Sequence, residues 1–213
     1  MIRVSAFRWV PPFARGLVRD LRVRWALEEA GLPYEQRLIG REDQGSESYR
    51  RLQPFGQVPA YEEDGLVLFE SGAIVLHVAQ RSETLLPADP ERRARVTAWM
   101  FAALNSVEPA IQHLAGLDLF YANEEWAKQR RPGAEEAARS RLVDLAAALD
   151  GREYLEGRFS AGDLLMTTVL RILRHTDLVA RIPALAVYQA RCEERPAFKR
   201  ALAAQMNAFT EQP

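Results

Sequence analysis

The sequence predicts a two-part protein, a small mixed α/β sheet unit followed by an all-α unit. Three observations carry that prediction. The first eighty or so residues alternate between short extended runs and a helical period. The segment Leu85-Leu86-Pro87-Ala88-Asp89-Pro90 brackets a short acidic linker with prolines. Beyond it every apolar pattern has the helical period, with no strand signal and no internal repeat. The expected division is residues 1–82, a linker at 83–90, and 91–213.

In chain order, Ile2 to Phe7 reads as a short strand and Leu17 to Ala30 as a helix, with Leu17, Leu21, Trp25 and Leu27 among its apolar positions. Gly31 supplies a stop, reinforced by Pro33. Tyr34 to Ile39 is a second strand, and the polar stretch Gly40 to Gln53 a loop or irregular helix. Val58 to Glu62 and Leu66 to Phe69 flank Asp64-Gly65, a hairpin signal, and Ser71 to Gln80 closes the unit as a helix. A βαβ unit joined to a hairpin and a final helix gives a mixed sheet covered by helices. The second unit is read as helices over Glu91 to about Leu119, Ala134 to Leu149, Gly162 to His175, Pro183 to Arg195 and Pro196 to Phe209. Ser160 with Asp163 three residues on is a near-capping box at the start of an apolar helix, a structural signal.

Composition narrows the function classes. The chain has 213 residues, 48% hydrophobic and 27% charged, with net charge −1, so nothing global points to nucleic acid or an acidic membrane. Basic residues crowd the N-terminus (Arg3, Arg8, Arg15, Arg19, Arg22, Arg24), either as a solvated face or as an anion-attracting mouth. The single cysteine, Cys192, cannot form an internal disulfide, and MIRVSAF lacks the apolar core of a signal peptide; a cytoplasmic protein is expected. His77, His113 and His175 show no metal spacing, so no metal site is expected.

Two short features could hold a ligand. Val58 before Pro59 offers a backbone N–H and C=O at a strand edge, where an extended peptide can pair; on the residues alone, an ordinary trans proline opening an edge strand is the simpler reading. Glu70-Ser71 sits where a strand gives way to a helix, with Ser71 expected as the N-cap beside an anion site of helix amides. A capping serine next to a surface glutamate is the alternative.

Four stretches, in order along the chain, resemble the cytosolic glutathione S-transferase superfamily: ALEEAGLPYE (26–35), PFGQVPAYEEDGLVLFES (54–71), FSAGDLL (159–165) and RPAFKRAL (195–202). The resemblance implies a thioredoxin-like N-terminal domain, an all-helical C-terminal domain, glutathione as co-substrate, a small hydrophobic electrophile as second substrate, and a homodimer. It also implies that Pro59 is cis and that Val58, Pro59, Glu70 and Ser71 bind glutathione, with Glu70 on the α-amine and Ser71 on the γ-glutamyl carboxylate.

The chain departs from the family where the chemistry is done. Members usually ionise the thiol with a Tyr or Ser hydroxyl just after the first strand, or carry a Cys there. Aligning PFAR with the family's S-P-F-A-R puts Pro11 at that position; aligning back from VRWALEE puts it near Leu17. The only hydroxyl in this region is Ser5, mid-strand, and Gly16 to Arg22 looks like a seven-residue insertion that would lengthen the first helix by two turns. Arg15, which would act by charge, the amides near Phe13-Ala14 and Trp9 are the remaining candidates to stabilise a thiolate; Trp9 and Phe13 are also candidates to line an apolar co-substrate pocket or pack as core. The expectation is a transferase with an unconventional thiolate stabiliser. The alternative is a non-catalytic binding or interaction protein on the same fold.

Overall fold

The computed structural model describes residues 1–210. Strands β1 (Ile2–Phe7), β2 (Tyr34–Ile39), β3 (Ala60–Glu63) and β4 (Leu66–Phe69) form one sheet in the order β2-β1-β3-β4. β1 and β2 run parallel, with Ile2 opposite Tyr34 and Phe7 opposite Ile39; the β1–β3 and β3–β4 pairs are antiparallel. The crossover between the parallel pair is α1 (Asp20–Ala30), stopped where Gly31 takes φ 66° and no side chain is required to. Asp64 and Gly65 both have positive φ, 48° and 88°, the requirement of a tight two-residue hairpin turn. The polar stretch after β2 forms two single turns, α2 (Arg41–Gln44) and α3 (Glu47–Arg50), and α4 (Ser71–Ala79) closes the run.

The segment read as an insertion, Gly16 to Arg22, does not lengthen the first helix. Pro12–Ala14 is a 3-10 turn, residues 15–19 are turns and bends, and α1 starts only at Asp20. Gly16, at φ 78°, breaks any continuous helix through the insertion.

α1 is enclosed on all sides, with every residue from Asp20 to Leu27 buried, its charges included. Arg24 Nε reaches Asp20 at 2.6 Å, one terminal nitrogen reaches Gln36 at 2.9 Å, and Gln205 donates to Asp20 at 2.7 Å. Arg22 donates to Ser71 Oγ at 3.2 Å. The basic N-terminus therefore separates by position: Arg3 is solvated opposite Glu35, while Arg22 and Arg24 are interior groups fixed by hydrogen bonds.

The chain packs as two compact units, Met1–Pro87 together with the segment from Arg195 onward, and Ala88–Glu194. In the first unit the final helix lies along α1. Trp25 and Phe198 meet edge to face at 4.8 Å, Arg195 pairs bidentately with Glu29 at 2.6 and 2.7 Å, and Arg200 pairs with Glu28 at 2.6 Å. Helical period places such a segment in no particular unit; these packing partners do.

In chain order the remaining helices are α5 (Pro90–Phe101), α6 (Glu108–Phe120), α7 (Glu125–Leu149), α8 (Ala161–Leu170), α9 (Pro183–Glu193) and α10 (Pro196–Ala208), the last being the one returned to the first unit. A π-helical segment, Ala102–Val107, joins α5 to α6 within what the period reads as one helix. α7 runs through Pro132 and so begins nine residues before the expected start at Ala134. All ten residues of α8 are buried, and its capping box is formed: Asp163 accepts from Ser160 N and Leu155 N, both at 2.9 Å, and from the Tyr188 hydroxyl at 3.0 Å. Among the described residues no helix is long and apolar enough to cross a membrane.

Candidate functional site

The Val58–Pro59 peptide bond is cis. A network from three elements holds the loop leading into it. Gln53, itself buried, accepts from Phe55 N at 2.7 Å and Gln57 N at 3.1 Å; Gln44 donates to the Gly56 carbonyl at 2.8 Å. The Tyr49 hydroxyl donates to the Gln57 carbonyl at 2.6 Å and lies 2.8 Å from Ser5 Oγ, which accepts from Ala60 N at 2.7 Å. Burial raises the Tyr49 pKa, so this phenol stays protonated and keeps its donor. Ser5 is thereby committed to the frame, and no other hydroxyl or thiol occurs between Met1 and Gly31.

Val58 is 7% exposed and packs with Ile39 and Tyr49, with Phe7 against the same cluster. Its backbone N–H and C=O make no hydrogen bond to any described residue. A backbone pair left this way beside a buried side chain is uncommon, because water or a partner normally satisfies it. The arrangement is an edge for one more extended peptide segment.

Glu70 and Ser71 differ from their expected roles by one position. Glu70 is the N-cap of α4 and Ser71 its first helical residue, so Ser71 is not the cap. Glu70 adopts φ 67°, ψ 114°, a conformation that costs a non-glycine residue about 1–3 kcal/mol. Its carboxylate is exposed and meets no described residue. Ser71 is buried, and its oxygen accepts from Arg22. A guanidinium can only donate, so the Ser71 hydrogen is left to donate in turn, next to the unpaired first amides of α4. One free anion and one anion-seeking helix start therefore lie on adjacent residues.

A cleft of about 570 Å³ opens between the end of β1 and the start of α2, with Phe7, Trp9, Val10 and Pro11 on one side and Arg41 and Gln44 on the other. Gln44 joins it to the Gly56–Val58 loop, and Phe7 joins it to the Val58 cluster. The Trp9 indole N–H and the Arg41 guanidinium have no partner among the described residues. Arg8, also on the wall, is paired with Glu42 at 3.1 Å and Asp43 at 3.0 Å. Phe13 lies apart, 37% exposed in the 3-10 turn. Arg15 donates to the Thr210 carbonyl at 3.2 Å, with its guanidinium 5.7 Å from the Phe209 ring centre. The β3–β4 register, Ala60 opposite Phe69, sets Pro59 next to Glu70, while Trp9 lines the adjoining cleft and Arg15 turns to the C-terminal segment. Sequence reasoning missed Tyr49 and Arg22, whose partners Ser5 and Ser71 are remote in the chain, and Gln53, whose partners are amides within four residues.

Residues 14–80 match the family model described as glutathione S-transferase, N-terminal domain. A glutathione S-transferase from Hyoscyamus muticus is 34% identical over 100 residues, 44% of this chain and 47% of that one. A probable maleylacetoacetate isomerase from Drosophila melanogaster is 30% identical over 190 residues, 84% of this chain and 81% of its own. The crystal structure of a glutathione transferase from Burkholderia graminis, with two glutathione molecules bound per subunit, superposes with a TM-score of 0.81 at 28% identity, covering 95% of this chain and 88% of that one. With the cis Val58–Pro59 bond, the sheet order and these likenesses together, the chain belongs to the cytosolic glutathione S-transferase superfamily.

Proposed function

We propose that this protein is a glutathione-dependent transferase that activates the glutathione thiol for addition to a small electrophile. The observation that carries the reading is the unmet Val58 backbone pair, which lies one residue from Pro59, the position next to Glu70 in the β3–β4 register. The cysteinyl segment pairs with Val58, the γ-glutamyl carboxylate accepts from the Ser71 hydroxyl and helix amides, and the α-amine pairs with Glu70.

The thiolate stabiliser is the unconventional part. Of the candidates named from sequence, Arg15 has its guanidinium engaged with Thr210 and Phe209. Trp9 supports the role better, having a free N–H on the cleft wall. An indole donates a hydrogen bond without ionising, so it favours thiolate over thiol while the proton leaves to water. The sulfur then forms a bond to an electrophilic carbon, whose electron pair departs with a leaving group or takes up a proton. The free Arg41 across the cleft suits an electrophile bearing a carboxylate, in keeping with the relative named a maleylacetoacetate isomerase. Assembly as a homodimer completes the reading, and sedimentation tests it.

Calorimetric titration with glutathione tests the binding half directly. Saturable binding that Glu70→Ala weakens supports the reading; no binding, or binding indifferent to Glu70 and Ser71, removes it.

A further inference from the structure

The hydroxyls of Ser5 and Tyr49 form a hydrogen-bonded chain with a single direction. β1 and β3 pair through Val4 and Tyr61, and the next rung of that register sets Ser5 opposite Ala60. There a side chain takes over from the ladder, with Ala60 N donating to Ser5 Oγ at 2.7 Å. Tyr49 Oη lies 2.6 Å from the Gln57 carbonyl oxygen and 2.8 Å from Ser5 Oγ. A carbonyl only accepts, so the one Tyr49 hydrogen goes to Gln57. The Ser5 hydrogen is then the one that bridges to Tyr49 Oη. The order is Ala60 N–H to Ser5, Ser5 to Tyr49, and Tyr49 to the Gln57 carbonyl. Ser5 is 2% exposed and Tyr49 1%, and in such a buried chain each bond strengthens the next.

The chain begins on the Pro59–Ala60 peptide and ends on the Gln57–Val58 peptide, the two neighbours of the cis bond. Its last acceptor is the informative one. The Gln57 carbonyl and the Val58 N–H belong to one planar unit, so fixing the carbonyl fixes the direction of the N–H. A hydrogen bond on the carbonyl also draws charge from the amide and makes its N–H the stronger donor. That N–H meets no described residue.

We propose that Tyr49, acting through the Gln57–Val58 peptide and backed by Ser5, is a positioning residue for glutathione, aiming and strengthening the Val58 N–H that donates to the cysteinyl carbonyl. The inference rests on the reading of Val58 as the glutathione edge. It concerns one ligand atom: the contacts of the γ-glutamyl group with Glu70 and Ser71 do not pass through this peptide.

γ-Glutamylmethylamide has the γ-glutamyl group but no cysteinyl carbonyl, and titrations of the full-length protein with it and with glutathione separate the two. Tyr49→Phe keeps the ring beside Ile39 and Val58. It should weaken glutathione about tenfold and leave γ-glutamylmethylamide within about twofold. Ser5→Ala removes the bond behind Tyr49 and should weaken glutathione about threefold. In both variants without ligand, the Val58 amide proton resonance should move upfield, as a less polarised donor requires. Binding of γ-glutamylmethylamide reports that a variant is folded, and should either misfold, the other carries the test. If the wild type binds no glutathione, the inference falls together with the reading beneath it. If the wild type binds, three results overturn this inference alone: variants that bind glutathione as tightly, variants that lose both ligands alike, or a Val58 resonance that stays in place.

Discussion

Two stretches of the same unit face one candidate site, and they differ in kind. From Gln53 to Ser71 the backbone is fixed by Gln53, Tyr49, Ser5 and Gln44, and the groups left unmet are those a γ-glutamyl peptide would need. From Trp9 to Arg19 the chain is a 3-10 turn and bends, its hydroxyl is absent, and its arginine is drawn off to Thr210. In the proposed reading, binding rests on a frame pre-organised by these hydrogen bonds. Activation needs only one donor near the sulfur, and residues of several chemistries can supply that.

The largest expected effect comes from breaking the first stretch. Glu70→Ala should weaken glutathione by about 10- to 100-fold, since a charge-assisted pair is worth ~1.5–3 kcal/mol, as read by calorimetry. Ser71→Ala should follow at about tenfold, with Arg22 left facing an empty position. The second stretch should respond differently. Trp9→Phe keeps the apolar wall and leaves glutathione affinity within about twofold, but raises the pKa of the bound thiol by about one unit, while Arg15→Gln leaves that pKa alone. If Arg15→Gln raises it and Trp9→Phe does not, the assignment is reversed.

Smaller effects separate strain from function. Glu70→Gly removes the carboxylate but relieves a non-glycine φ of 67°, so thermal stability should rise by about 1 kcal/mol while glutathione binding falls. Opposite movement of the two quantities is the signature of strain held for a site. Behind the hairpin, Arg81 holds Glu63 by a bidentate ion pair, and its hydrogen bonds lower the Glu63 pKa from 4.5 to about 2. A carboxylate whose folded pKa is depressed adds stability above its unfolded pKa and loses it as pH falls through the folded one. The wild type should therefore lose this contribution between pH 4.5 and about 2, and Glu63→Gln should flatten that part of the acid-unfolding curve.

The same contrast governs what the sequence could reveal. β1 and β2 are found at their predicted bounds because alternation and the Gly31 and Pro33 stops are local. The start of α1 was misplaced because an insertion of nearly two turns keeps helical phase on paper, while Gly16 at positive φ interrupts it in fact. Val58, Glu70 and Ser71 were singled out from a resemblance carried by a contiguous stretch, residues 54–71. The capping role of Ser71 shifted to Glu70 because a strained backbone is invisible in composition. Arg22 and Arg24 were read in a solvated face or anion-attracting mouth, since their partners Ser71 and Gln36 lie in other elements and Gln205, far along the chain, holds the Asp20 that pairs with Arg24. Tyr49 and Gln53 sit in a stretch that reads as polar loop, and only the folded frame shows what they hold.

The account turns on whether binding and activation are carried by different stretches. The most direct measurement is the ultraviolet thiolate absorbance of bound glutathione, titrated against pH in the wild type and in Trp9→Phe. The account predicts a bound thiol about one unit or more below the ~8.5 of a free cysteine thiol, returning toward it in Trp9→Phe with binding retained. A bound thiol that titrates no lower than free glutathione in the wild type would contradict it, leaving a protein that holds glutathione without activating it.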